Sequence, residues 1–471
     1  MFTYKKVGKI PVVRSKDVVS SPVGIGFEKL DRDVFDPTEC YKPLSELGVK
    51  WVRIQSGWQK TEQKKGEYDF AWLDKIVDNL IDSGMTPWMC LCYGNILYDN
   101  RCEGLAGGMG CPPIHNDEMK TAWANYCTAV AKHFLGRVAH FEVWNEPDGE
   151  WCWRHGVNGT EYGNFARDTA LAVKNGNPDA EIFAGAFCSR DLNWLNSALK
   201  IMAPHIDAVT YHDYSINPEY NQFDGIEQET LADFQRNLRA LIDMYNPSID
   251  IIQGETGCHS ENSLYGAVEG CNWTEEKQTK LLLRRILSDY KGGVRFSSYF
   301  TAVDMFEPMG ERADKNREKF GFYGVLGAQF DENENFLGTY YKKPSYYALQ
   351  TLSAILCNGT QKTKLPIQFM NTAVRWQTTI SPQDSRINRL DLSLANGKKA
   401  MIYWVASDIL TERVDTTISM HAVNMGNVPQ LVDLADGNIY EIGEEHIKRI
   451  NETDYDLIKI KITDSPLMLL F

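Results

Sequence analysis

Two glutamates each close a short apolar run. Glu146 ends AHFEVW (139–144) in the string Trp144-Asn145-Glu146-Pro147, and Glu255 ends IDIIQG (249–254) in Gly254-Glu255-Thr256-Gly257. Two carboxyl groups on separate segments are what breaking a glycosidic bond needs: one gives a proton to the leaving oxygen, the other attacks the anomeric carbon. In the retaining form of that chemistry they sit about 5–5.5 Å apart. A general acid must keep its proton near neutral pH, which calls for an apolar setting or nearby negative charge. Glu146 has Trp144, Trp151 and Trp153 near it in sequence and takes that role. Glu255 must stay ionised, and Arg53 and the hydroxyl of Tyr214 are its candidate stabilisers. A single glutamate at a strand end is more often a surface carboxylate or half of an ion pair; the joint pattern carries the argument.

The elements that must position these residues follow from periodicity. Eight short, nearly continuous apolar runs recur between residues 20 and 357: VGIGF (23–27), VKWVRI (49–54), TPWMCLC (86–92), AHFEVW (139–144), EIFAGAF (181–187), DAVTYH (207–212), IDIIQG (249–254) and VRFSSYF (294–300). Such runs suit strands buried on both faces. Helical stripes separate them. Leu73, Ile76, Val77, Leu80 and Ile81 form one, with Gly84 as a stop; Met119, Trp123, Tyr126, Val130 and Phe134 form another, ended by Gly136. Tyr162, Phe165, Ala166 and Val173 continue the pattern, as do Leu231, Phe234, Leu238, Leu241 and Tyr245. Eight βα units predict an α/β fold, a closed (β/α)8 TIM barrel over residues 19–357. An open doubly wound sheet is less favoured, because GIGFEKLDRD lacks a GxGxxG turn. A barrel of this kind carries its chemistry at the C-terminal ends of its strands, where both glutamates fall. The sixth run leads into His212-Asp213-Tyr214, and the second carries Arg53 and Gln55.

Beyond residue 357 the stripes give way to AMIYWVA (400–406), DTTISM (415–420), QLVDL (430–434), NIYEI (438–442) and LIKIKI (457–462), with Asp436-Gly437 as a hairpin signal. Residues 358–471, joined by the strand-like segment in residues 1–18, are predicted to form an accessory antiparallel β-sandwich. Trp376 and Trp404 are expected in its core rather than on a sugar-binding face.

Composition excludes several partners. The chain of 471 residues has a formal charge of −14 with 43% hydrophobic and 24% charged residues. No basic patch recommends nucleic acid or an anionic membrane, and no run of about 18 apolar residues spans a bilayer. The N-terminus shows no signal-peptide pattern, so the expected location is cytoplasmic. The 11 cysteines, several inside apolar runs, agree with a reducing compartment. Cys102 and Cys111 flank a Gly-rich loop, and Cys258, His259 and Cys271 cluster in another; zinc and a disulfide are both open there, but no CxxC or HxxxH spacing supports metal. No metal and no cofactor is expected.

The chain resembles glycoside hydrolase clan A, the retaining barrel glycosidases whose two glutamates follow the fourth and seventh strands. FEVWNEPDGEWCW is similar to the acid/base segment of family thirty-nine, the β-xylosidase and α-L-iduronidase group. GEYDFAWLDKIVDNLIDSGMTPWMCL resembles that family's second helix and third strand, and YKKPSYYALQTLSAIL its last barrel helix. The resemblance implies Glu146 as acid/base, Glu255 as nucleophile, Asn145 on the sugar 2-hydroxyl, Arg53 supporting the nucleophile, and His212 and Tyr214 as the His-x-Tyr of the sixth strand with Tyr214 touching the nucleophile. Many clan members end the eighth strand in a Trp under the sugar; here Tyr299 or Phe300 would take that place. Glu28, at the end of the first strand, is a candidate for a sugar hydroxyl, with a cap or salt bridge as the plainer alternative. Trp151, Trp153 and Trp273 lie in loops that either line subsites or pack. The expected activity is hydrolysis of β-glycosidic bonds in an oligosaccharide or glycoside of the xylosidase, glucosidase or galactosidase type, exo-acting because the loops after strands three, seven and eight are long. The rivals are a transglycosidase using the same two glutamates and a catalytically inactive carbohydrate-binding barrel, the latter disfavoured because both carboxylates are present.

Overall fold

The computed structural model describes residues 4–214, 227–307, 315–370, 387–411 and 413–471. After an N-terminal strand β1 (Lys5–Lys9), eight parallel strands close into a barrel: β2 (Val23–Gly26), β3 (Trp51–Gln55), β4 (Thr86–Leu91), β5 (His140–Val143), β6 (Glu181–Phe187), β7 (Ala208–His212), β8 (Asp250–Thr256) and β9 (Ser297–Tyr299). Each coincides with one of the eight apolar runs, and β9 returns to pair with β2. Helices fill the crossovers: α1 (Tyr41–Glu46), α2 (Trp58–Thr61), α3 (Ala71–Asp82), α4 (Asp117–His133), α5 (Gly159–Gly176), α6 (Leu192–Met202), α7 (Glu227–Asp243), α8 (Glu275–Gly292) and α9 (Pro344–Leu356). The stripe of α3 is buried at Leu73, Ile76, Val77 and Leu80, but Ile81 is 37% exposed. It lies one residue past the face that meets the barrel, so the apolar side of this helix is narrower than its sequence suggests.

The barrel interior is layered. Trp88, Phe183, Ala208, Ile252 and Phe296 fill its lower part, with Trp51 stacked on Phe296 at 4.5 Å between ring centres. Strand side chains alternate, so two residues further along β3 the inward position is Arg53, whose guanidinium sits 5.4 Å above the Trp88 ring. An apolar plug therefore seals the bottom, and the charged residues sit above it, toward the C-terminal mouth.

The loop after β9 contains short pairs that the apolar runs do not announce: β10 (Met305–Phe306) with β11 (Phe320–Gly321), and the hairpin β12 (Leu326–Phe330) with β13 (Phe336–Lys342). The C-terminal region adds β14 (Gln361–Lys362), β15 (Ile367–Phe369), β16 (Ile387–Ser393), β17 (Lys399–Val405), β18 (Asp415–Ala422), β19 (Gln430–Asp433), β20 (Asn438–Glu441), β21 (Ile447–Arg449), β22 (Tyr455–Thr463) and β23 (Leu467–Leu470). These form a seven-stranded antiparallel sheet, ordered β1-β20-β19-β23-β17-β16-β14, and a four-stranded one, β15-β18-β22-β21. Strand β17 explains how the sandwich attaches. Met401, Tyr403 and Val405 join the core between the two sheets, while Ala400, Ile402 and Trp404 join the core continuous with the barrel. Trp404 is fully buried; Trp376 lies outside the described residues. Among the described residues no helix is long and apolar enough to cross a membrane.

Candidate active site

Strand β5 ends at Val143, and the chain then turns through two left-handed residues, Trp144 (φ 65°) and Glu146 (φ 47°). A non-glycine residue in that region costs of order 1–3 kcal/mol. Local bonds hold the turn: the Glu146 amide donates to the Ala186 carbonyl at 3.0 Å, and the Trp144 indole N–H donates to the Cys152 carbonyl at 2.7 Å. The turn points Asn145 and Glu146 into the mouth.

Glu255 reaches the same space by a different device. Ile252 packs inside the barrel and Gly254 faces it, so strict alternation would send Glu255 outward. The register between β7 and β8 slips instead: Tyr211 opposes Gln253, and the next residue, His212, opposes Glu255. Gly254 is the extra residue of a bulge that re-aims the carboxylate inward. A Cβ there would stand 3.1 Å from His212 Nε2, so glycine also permits the close approach.

Arg53 organises the floor. Its Nε and Nη2 donate to Glu142 Oε2 at 2.8 and 2.6 Å, Nη2 also donates to Asn145 Oδ1 at 2.8 Å, and Nη1 donates to Glu255 Oε2 at 2.9 Å and to Glu28 Oε1 at 3.4 Å. The other Glu255 oxygen accepts the Tyr214 hydroxyl at 2.5 Å. Burial and the adjacent Glu255 charge hold that phenol well above its usual range, so it stays a donor. Between His212 and Tyr214, Asp213 points away into ion pairs with Arg190 at 2.6 Å and Arg285 at 2.9 Å, which fixes its two neighbours on the mouth side.

Glu146 is bonded at both oxygens. His212 Nδ1 lies 3.0 Å from Oε1 and 3.8 Å from Glu255, and the Trp151 indole donates to Oε2 at 2.5 Å. A carboxylate oxygen of Glu146, one of Glu255 and a nitrogen of His212 lie within 4.8 Å of one another. The sequence predicts an apolar setting that keeps Glu146 protonated; the structure corrects this. Burial raises its carboxyl, but the His212 hydrogen bond and charge, helped by Trp151 and Arg53, bring it below the usual carboxylate range. The imidazole is raised in turn: burial works against its charge, and Glu255 and the bond to Glu146 outweigh it. The proton belongs to the Glu146–His212 pair rather than to Glu146 alone.

Glu28 is buried against Arg53 and Thr301. Burial pushes its carboxyl up to about 7 against the pull of Arg53, with Glu255 adding to the rise. Tyr299 is fully buried in the barrel wall and offers no face to a ligand, because the alternation that places Ser298 inward turns Tyr299 away. Phe300 belongs to a rim cluster, with its ring 5.1 Å from that of Tyr323 and Lys29 Nζ 5.4 Å from its centre. Of the loop tryptophans, Trp153 and Trp273 are buried, their indoles bonded to Glu161 and to the Val268 carbonyl, and pack their loops; Trp151 alone is exposed.

Three features had not been singled out. Glu142 is a fully buried carboxylate in an apolar strand, and such a group demands a buried cation; that was its available signal. The Lys29–Glu307 pair, at 2.7 and 2.6 Å, and Tyr323 come from loops with no pattern to flag them. As for metals, Asp99, Cys102 and Cys111 approach within 4.8 Å, but both Asp99 oxygens already accept the Arg101 guanidinium, at 2.8 and 2.6 Å.

The sequence profile of the glycosyl hydrolases family 39 matches residues 38–363. Among curated proteins, the chain is 25% identical over 276 residues to a beta-xylosidase of Geobacillus stearothermophilus, covering 52% of this chain and 51% of that one. It is 30% identical over 243 residues to an intracellular exo-alpha-(1->5)-L-arabinofuranosidase of Acetivibrio thermocellus, covering 46% of each. The chain thus spans about half the length of the curated relatives it matches. Among solved structures, a family 39 glycoside hydrolase from Bacteroides cellulosilyticus WH2 superposes with a TM-score of 0.67 at 15% identity, over 98% of this chain and 82% of that one.

Proposed function

Because the chain belongs to the glycosyl hydrolases family 39, we propose that it is a retaining hydrolase of β-glycosidic bonds in which Glu255 is the nucleophile and Glu146 the general acid/base. One observation carries this reading: carboxylate oxygens of Glu146 and Glu255 approach within 4.8 Å, Glu255 held by Arg53 and Tyr214 and Glu146 by His212 and Trp151. That closeness suits the roughly 5–5.5 Å of retaining pairs and not the roughly 6.5–9.5 Å that admits a water between inverting ones. Arg53 and Tyr214 donate to the two oxygens of Glu255 and aim it at the anomeric carbon. Glu146, drawing on its proton shared with His212, protonates the departing oxygen as the glycosyl–Glu255 ester forms. Loss of the Glu255 charge then favours Glu146 as a base, and water deprotonated by it releases the sugar. Asn145, fixed by Arg53, donates or accepts at the sugar 2-hydroxyl.

The substrate we propose is a pentoside cleaved from a chain end. The two curated relatives are named for xylose and arabinose, and β-D-xylopyranosides and α-L-arabinofuranosides present the leaving oxygen on the same face. The loops that leave the mouth after β4, β8 and β9 are long, which supports short substrates. The test is a panel of nitrophenyl β-D-xyloside, glucoside, galactoside, fucoside and α-L-arabinoside, with wild type and Glu255→Ala. Turnover that survives Glu255→Ala would overturn the mechanism, and rapid viscosity loss on a long polymer would overturn the exo assignment.

A further inference from the structure

Glu146 accepts a hydrogen bond on each oxygen, and the two donors differ in freedom. His212 has no exposed surface and belongs to the barrel wall on β7. Trp151 is 55% exposed and rides on the short turn after β5. Its indole packs against Gly149, where a Cβ would stand 2.5 Å from the ring, and a Cβ on Gly110 would meet its carbonyl at 2.5 Å. A carboxyl group whose cleft-facing oxygen is engaged by an N–H cannot offer a proton from that oxygen. Oε1 is committed to His212, so Oε2 must deliver the proton, and Trp151 must first release it.

Resting on the functional reading above, we infer that Trp151 is a positioning residue that ties occupation of the leaving-group side to the readiness of Glu146. A ring with an apolar face, that is, a second sugar, settles on the exposed indole and draws its N–H away from Oε2. The freed Oε2 then carries the proton of the Glu146–His212 pair to the glycosidic oxygen, and the indole keeps its own hydrogen throughout. The site therefore selects substrates whose leaving group is a sugar over those that release a small alcohol. The Trp151 hydrogen bond is one of the influences that lower the Glu146 carboxyl, after burial, which raises it, and His212, which lowers it. The other titratable groups that act on Glu146 or feel its charge are Glu255, Arg53, Tyr214, Cys152 and Cys188. All belong to barrel strands or to buried or partly buried loop positions, and none is an exposed side chain.

Trp151→Phe keeps a ring face and removes the donor; Gly149→Ala keeps the tryptophan and lifts it from its seat, serving if the first variant folds poorly. Both are compared with wild type on two glycosides of one sugar, a disaccharide and a 2,4-dinitrophenyl glycoside whose leaving group needs no proton. For the disaccharide in wild type, the alkaline limb of kcat, which reports the complex, is expected at higher pH than that of kcat/KM, which reports the free enzyme. In both variants the gap narrows, and, because Oε2 is already free in the resting enzyme, kcat/KM on the disaccharide relative to the activated glycoside does not fall. An unchanged gap, or a loss of about tenfold or more confined to the disaccharide, would overturn the inference while leaving the two-glutamate mechanism intact. A wild type that cleaves neither glycoside would overturn both.

Discussion

Arg53 Nη1 lies 2.9 Å from Glu255 Oε2 with the arginine side chain wholly buried. Glu142 engages the opposite edge of the guanidinium through Nε and Nη2, so the group cannot rotate and its remaining edge faces the nucleophile. The pair of buried ions behind the site does not by itself add stability; it fixes the direction of a donor.

The first prediction follows from that geometry. Arg53→Lys substitutes a point charge for a planar fork and cannot serve Glu142, Asn145 and Glu255 at once. We expect kcat/KM to fall by about 10²–10³, as when one preorganised donor is lost. Unfolding free energy should fall by about 3–5 kcal/mol, because a buried carboxylate loses its partner. Urea denaturation and steady-state kinetics on one preparation measure both. A lysine variant with wild-type midpoint and rate would show that the guanidinium fork is dispensable.

The second concerns the shared proton. In the wild type the pair loses its proton through His212, whose imidazole is held above its ordinary range despite burial by Glu255 and Glu146. His212→Asn leaves Glu146 to hold the proton alone, as a carboxylic acid. Losing His212 also removes the main influence that lowers the Glu146 carboxyl against burial, but Trp151 and Arg53 still lower it. It therefore gives up its proton before the raised imidazole of wild type does, and the alkaline limb of kcat/KM should move to lower pH. A limb that stays in place would assign it to some group other than this pair.

The barrel was legible because each strand is a short apolar run and each crossover a stripe, and because Glu146 and Glu255 end such runs. What stayed hidden depends on placement across long stretches of sequence. His212 is 66 residues from Glu146, so no local pattern shows that it would lower the carboxyl that the neighbouring tryptophans seemed to raise. The aim of Glu255 depends on a bulge at Gly254, and alternation alone would have turned it outward. Tyr299 and Phe300 are adjacent and equally aromatic; the direction of β9 buries the first and leaves the second at the rim. The hairpin of β12 and β13 is not announced because LGAQF and FLGTYYK contain no continuous apolar run, and much of β13 is exposed.

The third prediction is about stability rather than activity. Asp289, on α8, is fully buried and accepts from Tyr211, Gln235 and Ser297 at 3.1, 2.8 and 2.6 Å. Burial pushes its carboxyl up to about 7. Between the ordinary carboxylate range and about 7 the folded chain therefore binds more protons than the unfolded chain, and stability falls as pH climbs through that window. Glu28, at about 7, and Asp304, raised by burial to about 6, act in the same direction. Asp289→Asn keeps the shape and most of the bonds but has no proton to lose. Its melting temperature should fall less than that of wild type between pH 5 and pH 7.5, which thermal melts in matched buffers would read. Parallel curves would mean that Asp289 is ionised throughout.

The last prediction separates the two glutamates by stereochemistry. Glu255→Ala removes the nucleophile and opens a space on its side of the sugar, so azide can attack the anomeric carbon directly. The product should be a glycosyl azide of inverted configuration, formed with proton donation from Glu146 still available. Glu146→Ala keeps the nucleophile. A dinitrophenyl glycoside should still load Glu255, because its leaving group departs without an acid, but the ester should then persist for want of a base. Azide, needing no deprotonation, should attack that ester and give a glycosyl azide of retained configuration, restoring turnover. On glycosides with poor leaving groups the same variant should lose about 10²–10⁴ in kcat/KM, and azide should restore little, because the first step has lost its proton donor. The two azide products differ only at the anomeric carbon and are distinguished by proton NMR. Retained product from Glu255→Ala, or inverted product from Glu146→Ala, would exchange the roles of the two residues while leaving the barrel, the bulge and the Arg53 clamp as they are.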